Sequence, residues 1–309
     1  MSASIRIGTR GSQLALWQAN EVGKRLSELG YRPEIVTVRT TGDIRQDITL
    51  ASIGGKGVFI KELEEALSRN EIDLAVHSLK DVPSMVPPQF ELAAFLERAD
   101  PRDAWVQLDG IPIDQMAERS KVGTSAPRRR SQLRGLFPHL QIEEIRGNVD
   151  TRINKLRAGL YDGAILASAG LKRLGRESEI TSYFSIDEMV PAAGQGIVAI
   201  EMLAGRGREI AEAIDHPPSA LAAKCERGVL QRFGTLLDCY SAVAVHATIS
   251  DGSITIRAFF GELDGERTIR LRQSGSDAEE LIDSVYEALV AAGAEELAVR
   301  RSPLAEGRE

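Results

Sequence analysis

Cysteine and histidine are scarce in this sequence, and neither has the spacing of a metal site. Cys225 and Cys239 are the only cysteines, no Cys-x-x-Cys occurs, and the four histidines include no close pair. Structural and catalytic metal sites in proteins are usually built from such clusters. We therefore predict that the protein binds no metal ion and, in a reducing compartment, forms no disulfide.

Long apolar runs and an excess of positive charge are also missing. No apolar run approaches the roughly 20 residues that a membrane-spanning helix needs, and residues 1–8 lack the apolar core of a signal peptide. We expect a cytoplasmic protein with no membrane partner. The formal net charge of -7 argues against a nucleic-acid partner, so a nucleic-acid-binding regulator is the weakest candidate function.

The 309 residues, 43% of them apolar and 27% charged, predict a globular α/β protein with two or three domains. The chain begins with a β-α-β pattern in which Ser12 is placed to cap the first helix. A second block, starting near Asp103, repeats short apolar strands that end in basic turns. After the apparent linker His216–Ser219, three alternating segments joined by Asp-Gly turns predict a small α+β domain with a three-stranded antiparallel sheet.

The segment Ile72–Pro83 is the most informative part of the first block. Its apolar start is typical of a buried parallel strand, although a short helix fits the same pattern. Lys80 and Asp81 follow directly, at the position where ligands bind in open α/β sheets. The alternative is an ordinary strand exit with a surface ion pair.

Basic residues recur at the ends of other predicted strands. Arg10 lies beside a helix N-terminus, where it is either a solvated loop residue or an anion contact. Ser125 is placed to cap a helix whose first turn holds Pro127 and three consecutive arginines, residues 128–130. Cations at a helix N-terminus oppose the helix dipole, which favours a bound anion over a solvated basic turn.

These cations imply a ligand with several carboxylates or phosphates, because arginine pairs with such groups through two parallel hydrogen bonds. Asp81 is the one acid among them, and a basic cleft keeps such an acid ionised. It could stabilise a cationic intermediate or guide a proton. The basic residues in question are Arg10, Lys56, Lys80, Arg98, Arg128, Arg129, Arg146 and Arg152.

Eight segments of the sequence together resemble the porphobilinogen deaminase (hydroxymethylbilane synthase) family. They occur in the family's order between Ile7 and Leu230, and they are Gly8–Gln18, Gly54–Glu64, His77–Pro83, Arg98–Asp103, Gly123–Ser125, Arg146–Val149, Ala169–Gly175 and Gly194–Gly196. The resemblance implies two periplasmic-binding-protein-like, doubly wound domains and a third domain that carries a dipyrromethane cofactor. It also implies a transferase that joins four porphobilinogens head to tail, releases ammonia, and yields linear hydroxymethylbilane for tetrapyrrole (heme) synthesis.

The same resemblance implies a role for individual residues. Asp81 corresponds to the catalytic aspartate and Cys239 to the cysteine in thioether linkage to the dipyrromethane, while Cys225 lies in a helical stretch that suggests packing. Cofactor-binding positions, besides Asp81 and Cys239, are Ser12, Lys80, Thr124, Arg128 and Arg129. Substrate-binding positions are Arg10, Arg146, Arg152 and Gln195, with Lys56 and Phe59 in a flap.

Two departures from the family pattern affect these expectations. Leu237 and Asp238 stand where the family usually has Gly-Gly before the attachment cysteine, and Ala126 and Pro127 replace a serine and a leucine. Glycines allow close backbone approach, so the altered loop leaves an alternative open. In that alternative the chain is a polycarboxylate-binding protein of the same fold that lacks the covalent cofactor.

The resemblance also predicts domain boundaries. Domain 1 is discontinuous, with residues 1–98 and 197–215, and contains the catalytic aspartate and the flap. Domain 2 comprises the arginine-rich residues 99–196, and domain 3 comprises residues 219–309 with the attachment cysteine. A monomer is expected from the resemblance alone.

Overall fold

The structure is a computed structural model, and it describes residues 4–40, 60–238 and 240–299. Three predicted site residues, Lys56, Phe59 and Cys239, lie outside these ranges. The chain divides into two compact units. Unit 1 comprises Met1–Ala99 and Gly194–Ala223, and unit 2 comprises Asp100–Ala193 and Lys224–Glu309. Unit 1 is discontinuous, while the predicted boundaries of domain 1 and the separate third domain stay predictions.

Unit 1 is built on a five-stranded sheet with the order β2-β1-β3-β10-β4. β1 pairs in parallel with β2 and β3, and β10 is antiparallel to β3 and β4. The strands are β1 (Ser4–Thr9), β2 (Arg32–Thr37), β3 (Leu74–Ser78), β4 (Phe90–Phe95) and β10 (Val198–Leu203). The helices are α1 (Gln13–Glu28), α2 (Lys61–Ser68) and α6 (Arg208–Glu212), and α7 (Pro217–Phe233) begins in this unit.

Unit 2 contains a second five-stranded sheet, with the order β7-β6-β8-β5-β9, which repeats the arrangement of the first. β6 is parallel to β7 and β8, and β5 is antiparallel to β8 and β9. Its strands are β5 (Asp103–Val106), β6 (Lys121–Gly123), β7 (Gln141–Glu143), β8 (Gly163–Ala167) and β9 (Ser182–Tyr183). Its helices are α3 (Pro127–Leu136), α4 (Val149–Arg157) and α5 (Ser168–Arg173).

The C-terminal part of unit 2 is a three-stranded antiparallel sheet with helices. Its strands are β11 (Ala242–Ser250), β12 (Ser253–Gly261) and β13 (Thr268–Gly275), and its helices are α8 (Ala278–Ala291) and α9 (Ala294–Val299). The predicted fold class is confirmed. No helix within the described ranges is both long and apolar enough to cross a bilayer.

Each five-stranded sheet buries an apolar core that fixes its strand ends. In unit 1, Val22 and Leu26 of α1 pack against Ile7 and Leu74 of the sheet, and all four are fully buried. Burying a side chain of this size contributes roughly 1.5–3 kcal/mol. The strand interpretation of the segment after Ile72 is thus confirmed over the helix, and the strand extends through His77 and Ser78.

Two local predictions were wrong. His216–Ser219 is not a linker, because α7 begins at Pro217. Prolines are tolerated in a first turn, where the missing N–H has no intrahelical partner anyway. Ser125 does not cap α3 either. Ala126 occupies the N-cap position, has no side chain that can cap, and is followed by Pro127 at the first helical position.

Candidate active site

The predicted site residues of unit 1 follow the carboxyl ends of two neighbouring parallel strands. β1 ends at Thr9 and is followed by Arg10 and Ser12, while β3 ends at Ser78 and is followed by Lys80 and Asp81. Ser12 is the N-cap of α1, and its hydroxyl accepts a hydrogen bond from Ala15 N–H at 3.3 Å. The capping prediction is confirmed, and it shows why this loop is held in place.

The short 3₁₀ turn Leu79–Asp81, the Asp81 turn, is anchored on both sides. Leu79 is 1% exposed and its N–H donates to Ile197 O at 3.0 Å. Gln18 Nε2 of α1 donates to Ser78 Oγ at 2.8 Å, just before the turn. Burial of Leu79 and Val82 leaves Lys80 and Asp81 between them exposed.

The Asp81 carboxylate is therefore presented to solvent from a fixed backbone. Its side chain is exposed, and it accepts no hydrogen bond from the residues that the structure describes. Both oxygens are thus available to the N–H groups of a ligand. No hydrogen bond or ion pair among the described residues requires a charged side chain at position 81, which distinguishes Asp81 from the acids that stabilise the structure.

The segment Gly194–Gly196 supports the Asp81 turn from the side. Gly194 has φ +74°, and a Cβ at this position would lie 2.5 Å from Leu79 Cγ. Only glycine combines this φ with such a close approach. Gln195 between the two glycines is 1% exposed.

In unit 2 the predicted residues follow the ends of β6 and β7, which are also parallel neighbours. Thr124 is buried and its hydroxyl accepts from Ala126 N–H at 3.3 Å, which shapes the entry to α3. Arg152 of α4 donates from Nη2 to Ser125 Oγ at 3.3 Å and from Nε to Gly147 O at 2.8 Å. The loops after the two strands are thus linked directly.

Arg128 and Arg129 do not lie free on the helix; both bind a carboxylate that sequence reasoning did not assign. Arg128 Nη1 lies 2.6 Å from Asp103 Oδ2, and Arg129 Nη2 lies 2.7 Å from Asp103 Oδ1. Each arginine is 5% exposed and Asp103 is fully buried. We call these three residues the arginine triad.

Electrostatics within the arginine triad favour the charged form of Asp103. Burial alone would raise the pKa of the Asp103 carboxyl, but the charges of Arg128 and Arg129 outweigh it and hold the pKa well below its ordinary value. The pKa of Arg129 is lowered, mainly by burial. The charge of Asp103 raises this pKa and the charge of Arg128 lowers it. Two guanidinium charges face one carboxylate, so these three residues carry one positive charge in excess.

The role of Asp103 has a signal in the sequence. Asp103 begins the fully buried strand β5, and a buried carboxylate requires a charged partner.

Arg146 pairs with a different carboxylate. Its Nε and Nη2 donate to Glu144 Oε1 at 2.8 and 2.7 Å. Glu144 is 52% exposed at the side chain, so this pair is a surface pair that a ligand carboxylate can replace at little cost.

The two cysteines differ in their surroundings. Cys225 is fully buried in α7, and burial, together with the charge of Glu226, raises the pKa of its thiol to about 11. A thiol with this pKa is almost entirely protonated at neutral pH and is a poor nucleophile. The prediction that Cys225 is a packing residue is consistent with this environment.

The residues flanking position 239 give the substituted Asp238 a structural role. Asp238 Oδ1 accepts hydrogen bonds from Tyr240 N–H and Ser241 Oγ, both at 2.9 Å. Asp238 N–H donates to Ser241 Oγ, also at 2.9 Å. Aspartate commonly shapes a turn by such contacts two residues on. The carboxylate of Asp238 is therefore hydrogen-bonded within its own turn.

No group of three or more His, Cys, Asp or Glu side chains that could hold a metal ion occurs among the residues with described positions. The predicted binding residues of each unit carry hydroxyl, ammonium or guanidinium donors, which are the groups that pair with carboxylates. In unit 1 these are Arg10, Ser12 and Lys80, with the acid Asp81. In unit 2 they are Thr124, Arg128, Arg129, Arg146 and Arg152.

Comparison with known proteins agrees with this chemistry. A family model described as "Porphobilinogen deaminase, dipyromethane cofactor binding domain" matches residues 5–211. A porphobilinogen deaminase of Geobacter sulfurreducens is 43% identical over 299 residues, covering 95% of this chain and 93% of the relative. One of Desulfitobacterium hafniense is 42% identical over 308 residues, covering 97% of this chain and 99% of the relative.

A solved structure of the methionine binding protein MetQ is also similar, with a TM-score of 0.44 and 12% identity. The similarity extends over 68% of this chain and 88% of the MetQ chain. The strand order and pairing of the two five-stranded sheets, rather than this distant likeness, are the evidence for the fold.

Proposed function

This chain belongs to the porphobilinogen deaminase family, and on that premise we propose which of its residues carry out the reaction. The enzyme is a hydroxymethylbilane synthase, a transferase that condenses four porphobilinogens head to tail, releases ammonia, and uses a dipyrromethane cofactor. We assign the catalytic role to Asp81 and the thioether attachment to Cys239. The alternative of a polycarboxylate-binding protein without the cofactor has no support in the comparisons.

The exposed carboxylate of Asp81 on its anchored turn is the observation that carries this proposal. Loss of ammonia from porphobilinogen breaks a C–N bond, the electron pair leaves with nitrogen, and positive charge develops on the pyrrole. A carboxylate within reach of the pyrrole N–H stabilises that charge. Asp81 suits this role because its oxygens accept no hydrogen bond from the described residues and because Leu79 holds its backbone.

The cationic residues hold the carboxylates of cofactor and substrate. When bound, the dipyrromethane supplies the pyrrole carbon to which the first porphobilinogen is joined. We propose that Ser12, Lys80, Thr124, Arg128 and Arg129 hold its carboxylates, and the excess positive charge of the arginine triad supports this fit. We assign the incoming substrate to Arg10, Arg146, Arg152 and Gln195, with Lys56 and Phe59 as flap residues. Charge-assisted contacts of this kind contribute roughly 1.5–3 kcal/mol each.

We further propose three domains, with the boundaries 1–98 plus 197–215, 99–196 and 219–309, and a monomeric cytoplasmic enzyme. The discontinuity of unit 1 and the separate three-stranded sheet support the domain division. Porphobilinogen is the substrate, and we expect neither a nucleic-acid nor a membrane partner. Light scattering of the purified protein tests the oligomeric state, and a dimer mass would reject the monomer.

The test of the catalytic assignment is Asp81→Asn, compared with Asp114→Asn. Asp114 is a matched control, because it is also an exposed aspartate in a three-residue 3₁₀ turn, Ile113–Gln115. We expect Asp81→Asn to fold normally and to lower ammonia release at least 100-fold, whereas Asp114→Asn keeps wild-type activity. Near-normal turnover by the Asp81 variant would reject the role.

A further inference from the structure

Gln132 of α3 is a buried amide with partners on both of its polar atoms. It is 1% exposed. Its Nε2 donates to Val190 O at 3.3 Å and to Arg128 O at 3.2 Å. Its Oε1 accepts from Val190 N–H at 2.9 Å. The amide of Gln132 therefore fixes the backbone of Val190 through both its N–H and its C=O.

The carbonyl of Val190 in turn contacts a proposed carboxylate-binding residue. Arg128 Nη1 donates to Val190 O at 3.1 Å, and the same Nη1 lies 2.6 Å from Asp103 Oδ2. The guanidinium of Arg128 is thus held between the carboxylate of Asp103 and a carbonyl that Gln132 positions. A bidentate guanidinium contact requires a defined plane, so displacement of this carbonyl alters how Arg128 meets a ligand.

The C-terminal sheet reaches the same amide. Arg270 of β13 donates from Nη2 to Gln132 Oε1 at 3.3 Å and to Glu188 O at 3.0 Å. Its Nη1 donates to Asp187 O at 2.9 Å. The Val190 side chain packs with Ala244 and Phe259 of the same sheet. The C-terminal sheet thus contacts the segment 187–190 through all three of its strands, and it contacts Gln132 through β13.

We propose that Gln132 is a positioning residue for Arg128, and that Arg270 connects Gln132 to the C-terminal sheet through its hydrogen bond to Gln132 Oε1. The proposal rests on the assignment of Arg128 to carboxylate binding. A buried amide with this many partners cannot turn without leaving a polar atom unpaired, so Val190 and Arg128 keep one arrangement. The sheet beside the attachment loop thereby sets the orientation of an arginine that holds the bound carboxylates.

A purely structural role for Gln132 is the competing explanation, and a double-mutant cycle separates the two. If Gln132 acts through Arg128, its substitution matters only while the guanidinium fork is present, so effects on kcat/KM are not additive. If Gln132 only ties α3 to the segment around Val190, its effect is the same with or without that fork.

The cycle uses Gln132→Met and Arg128→Lys in the holoenzyme, with porphobilinogen as substrate. Lysine keeps the charge of residue 128 and removes the planar fork. We expect Gln132→Met to lower kcat/KM about tenfold, the loss of one charge-assisted contact, but only about twofold beside Arg128→Lys. Equal losses in both backgrounds would overturn the proposal. Wild-type kcat/KM in Arg128→Lys would instead reject the carboxylate-binding role of Arg128, and the coupling with it.

A second variant keeps the test valid if Gln132→Met does not fold. Arg270→Met removes the guanidinium of β13. Arg267→Met is its control, since Arg267 is exposed and, among the described residues, pairs with the exposed Glu296 and, at 4.0 Å, with Glu262. We expect about a threefold loss of kcat/KM for Arg270→Met, which disappears beside Arg128→Lys, and no change for Arg267→Met. The proposal is wrong if the two variants behave alike, or if the loss persists beside Arg128→Lys.

Discussion

Arg128 binds the carboxylate of Asp103 with both ends of its guanidinium fork: Nη1 lies 2.6 Å from Oδ2 and Nη2 lies 3.1 Å from Oδ1. Arg129 shares the second oxygen, with Nη2 at 2.7 Å and Nε at 3.1 Å. Within the arginine triad, one carboxylate thus serves two arginines. The arginine triad is therefore both a structural element and a local source of positive charge.

Asp103→Asn is expected to destabilise the protein strongly, because it leaves two buried guanidinium groups without their anion. Breaking a buried pair in this way costs about 3–5 kcal/mol, and urea unfolding measures it. The control is Asp283→Asn, which breaks a pair with Arg232 that is largely exposed and contributes about 1 kcal/mol or less. Similar losses in the two variants would contradict the account of the triad.

The same carboxylate predicts a pH dependence of stability. The arginines lower the pKa of folded Asp103 below the unfolded value of about 3.9. Its stabilisation is therefore complete above that value and is lost as the pH falls toward the lower folded pKa. The difference in unfolding free energy between wild type and Asp103→Asn should narrow below about pH 4. A difference that stays constant from pH 7 to pH 3 would contradict this.

Gly194→Ala tests the support of the Asp81 turn, with Gly205→Ala as its matched control. Both glycines have left-handed backbones, at φ +74° and +75°, and only at Gly194 does an added Cβ meet described atoms within 4 Å. We expect Gly205→Ala to cost about 1 kcal/mol for the backbone alone. Gly194→Ala should cost about 3 kcal/mol, since overpacking adds to the same term, and it should lower activity by displacing Leu79. Unchanged activity in Gly194→Ala would contradict the claim that catalysis depends on the position of the Asp81 turn.

Cys225 should be unreactive in the folded protein. Burial and Glu226 raise the pKa of its thiol to about 11, so alkylation at neutral pH should modify it only after unfolding in urea. Cys225→Ala should keep the covalent cofactor and its activity, because alanine fills a buried apolar position. Fast alkylation of Cys225 in the native protein would show that its thiol is accessible and would reopen the choice between the two cysteines.

The strand exits could be predicted from the sequence because they depend on local patterns. A short apolar run followed by Lys80 and Asp81 identified β3 and its turn, and the capping of α1 by Ser12 followed from spacing alone. The two Asp-Gly turns likewise identified the hairpins of the C-terminal sheet.

The partners of the arginines could not be predicted, because they depend on long-range pairing. Asp103 reaches Arg128 and Arg129 only because β5 lies antiparallel to β8, which in turn pairs with β6 before α3. Gln132 and Val190 meet across a still longer separation. The misassigned linker at Pro217 has a local cause: proline suits both a linker and a first helical turn, so residue type alone does not decide.

The most direct test of the account is the mass of the purified protein, with peptide mapping of residues 233–246. The account predicts a mass increment equal to one dipyrromethane, located on Cys239 in the wild type and absent from Cys239→Ala. A wild-type protein that stays unmodified after incubation with porphobilinogen or preformed hydroxymethylbilane, or that carries the group on Cys225, would contradict it.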